Sequence, residues 1–142
     1  MHLKALAAAT AILMFAAGAA CADVITFSAA LKGSSEVPPN DSKGTGEVKA
    51  TLDTDTHAFT YTATYSGLSG PGIAAHFHGP ATPGADAGVQ VPVPAANVAS
   101  PINGTATLTD AQIDQLKDGK WYFNVHTKAI PGGEIRGQLQ RQ

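Results

Sequence analysis

Three histidines carry the chemistry this sequence is best equipped to perform. His76 and His78 flank Phe77 in the run Ala74-Ala75-His76-Phe77-His78-Gly79-Pro80, and His126 lies much further along in Asn124-Val125-His126-Thr127. Neutral imidazole is the commonest ligand for zinc and copper, so a His-x-His pair with a distant third His can make a three-nitrogen site with an open position. Such a site holds a metal ion and, with copper, supports redox chemistry. The plainer role for the same rings is to hydrogen-bond loop backbone, for instance around Gly79-Pro80, and to hold no ion. His2 lies in the first, apolar segment, and His57 follows the polar turn Asp53-Thr54-Asp55-Thr56, so both read as bystanders. Nucleophilic chemistry finds no support: the single cysteine is Cys21, and neither a Gly-x-Ser-x-Gly elbow nor a phosphate-binding Gly-Lys-Ser/Thr loop is present.

The elements that must position these rings are short strands. From Asp23 onward the chain is rich in Thr, Val, Ala, Gly and Pro, and short runs of alternating polarity are separated by Gly, Pro, Asn or Asp. The runs predict strands over Val24 to Leu31, Gly46 to Leu52, Ala58 to Tyr65, Ala74 to His78, Val89 to Val93, Asn103 to Leu108, Lys120 to Thr127 and Glu134 to Leu139. Eight strands in one domain predict an all-β fold, a single sandwich or closed barrel of mostly antiparallel strands. One short connecting helix is expected over Asp110 to Lys117, capped by Thr109 or Asp110, with Ile113 and Leu116 at helical spacing and Gly119 as its stop. Gly33 to Gly44 and Gly79 to Gly88 read as loops.

Alternation along a strand assigns faces. Trp121, Phe123 and Val125 form one apolar set, so Tyr122, Asn124 and His126 share the other face. Phe77 likewise enters the core while His76 and His78 project together from the opposite face, their Cβ atoms about 7 Å apart. The turn Ala129-Ile130-Pro131-Gly132-Gly133 joins Lys120 to Thr127 and Glu134 to Leu139 as a hairpin. Core residues are odd-numbered on both strands, so facing residues sum to 260 or 262. Either register sets Glu134 or Arg136 beside His126 as an outer partner of the histidines. The plainer role of Arg136 is an exposed ion pair. Glu36, in Gly33-Ser34-Ser35-Glu36-Val37-Pro38-Pro39, is a further outer candidate whose ordinary role is to meet solvent or cap backbone donors.

Compartment follows from residues 1 to 22. Lys4, the apolar run Leu6 to Ala20 and the ending Ala20-Cys21-Ala22 read as a secretory signal peptide cut before Asp23, and the apolar run is too short to span a bilayer. The rival reading makes Cys21 a lipoprotein anchor, against which Gly18 stands where a larger aliphatic residue is usual. Removing residues 1 to 22 leaves 120 of 142, one domain, with eight Lys and Arg against eleven Asp and Glu, a formal charge of −3. That balance offers nucleic acid no attraction. The expected location is the periplasm or the outside of the cell, with no membrane span.

The ordered motifs resemble the CHRD domain, the module named from chordin and found alone in many exported bacterial proteins. The likeness runs from about Thr26 to Gln140. It rests on Ser35-Glu36-Val37-Pro38-Pro39, Gly67-Leu68-Ser69-Gly70-Pro71, the His76-Phe77-His78 run, Leu108-Thr109, Gly119-Lys120, Asn124-Val125-His126-Thr127 and Pro131-Gly132-Gly133-Glu134-Ile135-Arg136-Gly137-Gln138-Leu139. The resemblance implies a β-sandwich of immunoglobulin-like or superoxide-dismutase-like type over residues 23–142. A weaker resemblance, to copper-zinc superoxide dismutase, rests on His76, His78, His126 and Arg136 falling in the order of that family's copper ligands and arginine. The chain departs from that family in having no histidine for the bridging ligand, no His and Asp cluster for zinc and no cysteine pair.

The expectation that follows is an exported copper-binding protein with His76, His78 and His126 as ligands, zinc being the second choice of metal, and Arg136, Glu134 and Glu36 as outer partners. Two other functions are consistent with the same residues: a superoxide dismutase-like copper oxidoreductase, and a metal-free adhesive module. Partners beyond a metal ion would be a second copy in a homodimer or another exported protein.

Overall fold

Alternating polarity becomes alternating burial along β-strands such as Val24–Lys32 and Ala58–Ser66 of the computed structural model, which describes residues 22–142. The segment read as a signal peptide, including Cys21, lies outside the described residues except for Ala22. In chain order the elements are β1 (Val24–Lys32), β2 (Thr45–Asp53), β3 (Ala58–Ser66), β4 (Gly72–His78), β5 (Val89–Pro92), β6 (Ile102–Thr107), α1 (Asp110–Lys117), β7 (Tyr122–Thr127), β8 (Ile135–Gln138) and the two-residue β9 (Gln140–Arg141). The strands pair antiparallel in the order β5-β4-β7-β8-β1-β2-β3-β6, with β9 also on β1. One hydrogen-bonded ribbon thus folds over itself, and the joint between its halves is the pair Lys32↔Arg136 between β1 and β8 together with Phe27↔Arg141 and Ser28↔Gln140 between β1 and β9. The all-β sandwich expected from the sequence is the fold observed.

The two halves face each other across aromatic rings. Phe59 and Tyr61 of β3 meet Phe77 of β4 edge to face, with centroids 5.1 Å and 4.8 Å apart, and Phe77 packs on Phe123 of β7 at 4.7 Å. Such pairs add about 0.5–1.5 kcal/mol each beyond the burial of their area. Trp121 closes this cluster against Phe59 and donates its indole N–H to Gln115 of α1 at 3.2 Å, so its one polar atom is satisfied inside the core. The helix itself is held by a capping box: Thr109 Oγ1 accepts from the Gln112 N–H and Gln112 Oε1 accepts from the Thr109 N–H. Gly119, at φ +69°, turns the chain out of it.

The β7–β8 register is Tyr122↔Gln138, Phe123↔Gly137, Asn124↔Arg136 and Val125↔Ile135, a sum of 260, one of the two that parity allowed. The face of β4, β7 and β8 turned away from the aromatic core is not open: Tyr122, Asn124 and Arg136 are only 2%, 4% and 2% exposed. The loop between β4 and β5 lies across it. Ala87 N–H donates to the Tyr122 hydroxyl, Arg136 donates to Asp86 and to the Ala85 carbonyl, and Gln138 Nε2 donates to the Ala81 carbonyl at 2.8 Å. A loop rich in Gly, Ala and Pro has few side-chain groups of its own, so the strand side chains reach up and bind its backbone.

Candidate metal centre

Phe77 is fully buried, and the strand pleat therefore turns His76 and His78 to the opposite face. Pairing of β4 with β7 sets Ala74 opposite His126, His76 opposite Asn124 and His78 opposite Tyr122. His126 is thus the diagonal neighbour of His76, and Asn124 stands between the three rings. His76 Nδ1 and His126 Nε2 are 3.2 Å apart. One nitrogen from each of His76, His78 and His126 lies within 4.8 Å of the others, a grouping able to hold a metal ion.

Backbone carbonyls fix two of the rings. His78 Nδ1 lies 3.0 Å from the Ala87 carbonyl, and His126 Nδ1 lies 2.8 Å from the Pro131 carbonyl. A neutral ring that donates from Nδ1 keeps its lone pair on Nε2, and a hydrogen bond from the far nitrogen is what orients histidine ligands in metal sites. Partial burial depresses the pKa of His76, with the neighbouring His126 and His78 adding to the effect. Burial also depresses His78, and it prevails over hydrogen bonds from its Ala87 and Asn124 partners that favour the cation. Both shifts keep the rings neutral near pH 7, the state that binds metal.

Arg136 stands one ring away from the histidines. Its guanidinium carbon lies 3.4 Å from the centroid of the Tyr122 ring, and that ring stacks on His78 at 4.8 Å and 5° from parallel. The cation is balanced by Asp86, which accepts from Nη1 at 2.8 Å. Arg136 is therefore a buried residue, not the exposed ion pair of its plainer reading. Glu134, which the register would set beside His126, turns elsewhere: its carboxylate accepts from Ser42 Oγ at 2.7 Å, from the Ser69 N–H at 2.7 Å, from Ser69 Oγ at 2.6 Å and from Thr127 Oγ1 at 2.5 Å. Burial alone would raise its pKa, but these donors outweigh burial and hold it down at about 2. It clasps the loops after β1 and β3 to the hairpin.

Glu36 departs furthest from its ordinary role as a solvent-facing loop carboxyl. It is 4% exposed and its Oε1 makes no hydrogen bond. Burial raises its carboxyl to about 7, against the pull of the Arg136 guanidinium and the Asn124 amide. Gly133 makes room for this contact, since a Cβ there would lie 2.4 Å from Glu36 Oε1 and 2.8 Å from Asn124 Nδ2. His57 stands apart, at φ +60° in the turn after β2 and 3.7 Å from Asp110. Sequence reasoning passed over Asn124, Tyr122 and Asp86. Asn124 and Tyr122 could have been found, because alternation puts them on the face of His126, whereas nothing periodic marks Asp86 in its loop.

The sequence profile of the CHRD domain matches residues 27–139. The chain belongs to the CHRD family. No curated protein and no solved structure matches it. In this CHRD domain four of the motifs quoted above border the histidine cluster. The Ser35-Glu36-Val37-Pro38-Pro39 run supplies the buried carboxyl, the His76-Phe77-His78 run supplies two rings, Asn124-Val125-His126-Thr127 supplies the third, and the Pro131-to-Leu139 run supplies the turn and Arg136. Among the described residues no helix is long and apolar enough to cross a membrane.

Proposed function

We propose that the domain spanning residues 23–142 is an exported, copper-binding CHRD domain acting in the periplasm or outside the cell, with His76, His78 and His126 as the ligands. One observation carries this reading: three imidazole nitrogens converge within 4.8 Å, and two of the rings are pinned through Nδ1 by backbone carbonyls so that Nε2 faces its neighbours. All-imidazole donors accept both copper and zinc. The general order of affinity puts copper(II) above zinc, and the absence of cysteine after residue 21 removes the thiolates that would favour softer ions. Arg136 acts at one remove, through the Tyr122 ring stacked on His78, and Glu134 serves the fold that carries the hairpin.

Isothermal titration of residues 23–142 with copper(II) and with zinc(II), beside the His76→Ala/His78→Ala double variant, tests the proposal. The expected result is one ion per chain, copper tighter than zinc, with binding lost in the variant. Binding unaffected by the variant, or no binding to the wild type, would make the histidines structural and favour a metal-free interaction module.

A further inference from the structure

Asn124 presents an oxygen where the histidines need a donor. Its side chain is 4% exposed, and Oδ1 lies 3.1 Å from His78 Nε2 and 3.0 Å from His126 Nε2. Each of those rings also faces a backbone carbonyl through Nδ1, Ala87 for His78 and Pro131 for His126. A neutral imidazole has one N–H, so it can donate to one of its two oxygen partners and not to both. With the Asn124 amide oxygen turned to the rings, one contact near 3 Å in each neutral ring brings two lone pairs together with no proton between them. Charging both rings would supply the missing protons, at the cost of two adjacent cations in a partly buried cluster. A single cation placed among the lone pairs supplies the attraction for every contact at once.

Three of the separations fit that arrangement, while the histidine nitrogens as a group span up to 4.8 Å and draw in when they close on one ion. Metal–ligand bonds of about 2.0–2.1 Å set neighbouring donor atoms roughly 2.9 Å apart at right angles and roughly 3.4 Å apart in a tetrahedron. The separations of 3.0 Å and 3.1 Å from Oδ1, and of 3.2 Å between His76 Nδ1 and His126 Nε2, all fall within that span. The other end of the amide is directed toward Glu36 across Gly133, which leaves the oxygen on the histidine side.

We propose that Asn124 is a fourth ligand, giving its amide oxygen to the ion held by His76, His78 and His126. The proposal rests on the metal-binding reading above and sharpens it. Three imidazoles and an amide oxygen form a neutral, closed four-donor set suited to a divalent ion. Soft sulfur ligands, which would stabilise copper(I), are missing from it. A filled fourth position suits holding and handing over the metal better than turnover at an open one.

The test is electron paramagnetic resonance of one equivalent of copper(II) on residues 23–142, in the wild type, Asn124→Ala and Asn124→Asp, with an azide titration of each. The Ala variant is expected to bind copper at least tenfold more weakly, to show altered g and copper hyperfine values as water replaces the amide, and to bind azide at least tenfold more tightly. The Asp variant, close in shape and retaining an oxygen, is expected to recover wild-type copper affinity, which separates ligand loss from misfolding. If the wild type binds copper but its spectrum and azide affinity match those of Asn124→Ala, the amide lies outside the coordination sphere and this proposal fails while the three-histidine reading stands. If the wild type binds no copper, both fail.

Discussion

Glu134 shows how much a single buried side chain can do away from the metal chemistry. Ser42, Ser69 and Thr127 together give it four hydrogen bonds, and its pKa of about 2 in the fold compares with 4.5 for an ordinary glutamate. The folded pKa is the lower of the two, so the unfolded chain binds the proton more tightly. The stability it contributes is present in full above about pH 4.5 and is lost as pH falls toward 2. Thermal melts from pH 7 to pH 2.5 should therefore show wild-type stability dropping through this window and Glu134→Gln dropping much less. At pH 7 the Gln variant should be less stable by on the order of 2 kcal/mol, the worth of hydrogen bonds to a charged group. Parallel curves for the two proteins would contradict this role. Gly133 is a second such residue: at φ +126°, with Glu36 and Asn124 closing on its Cα, Gly133→Ala should cost about 2 kcal/mol or more in urea unfolding.

At the scale of elements, the β4–β7–β8 ribbon and the loop above it make the site. Parity of the core residues on Trp121 to Val125 and on Ile135 to Leu139 was enough to narrow the hairpin to two registers and to read the face of His126 from sequence, because a sheet repeats every two residues. The roof was not legible. Gly79 to Gly88 has no period, and its placement depends on hydrogen bonds from Tyr122, Arg136 and Gln138 to loop backbone. For the same reason the sequence did not show that Glu134 would turn to serines in distant loops, or that Glu36 would be buried. The roof carries its own prediction. Asp86→Ala removes the carboxylate that accepts from a guanidinium only 2% exposed. Leaving a buried cation short of its partner should cost about 2–3 kcal/mol. Amide exchange across residues 79–88 should rise in the variant while β1 to β3 stay protected; uniform exchange across the domain would show that the loop is held by other means.

For the molecule as a whole, the aromatic core and the histidine cluster lie on opposite faces of the same strands. A ligand that binds only the folded chain stabilises it by about 2.7 kcal/mol at a hundredfold excess over Kd. In a domain of this size each kcal/mol moves Tm by roughly 4 °C. Copper(II) at that excess should thus raise Tm by about 10 °C, chelator should reverse the shift, and the His76→Ala/His78→Ala variant should melt at one temperature in both conditions. The CHRD fold was legible because strand period, turn residues and the ordered motifs agree along the chain. What an ion held there would do was not, since the same ligands serve storage and redox chemistry and only the number of filled positions separates them.

The most direct measurement is the nitrogen hyperfine pattern of one equivalent of copper(II) on the wild-type domain and on His126→Ala. Coupling to three imidazole nitrogens, reduced to two in the variant, is the predicted result. A pattern unchanged by His126→Ala, or copper bound without imidazole coupling, would contradict a centre built from His76, His78 and His126.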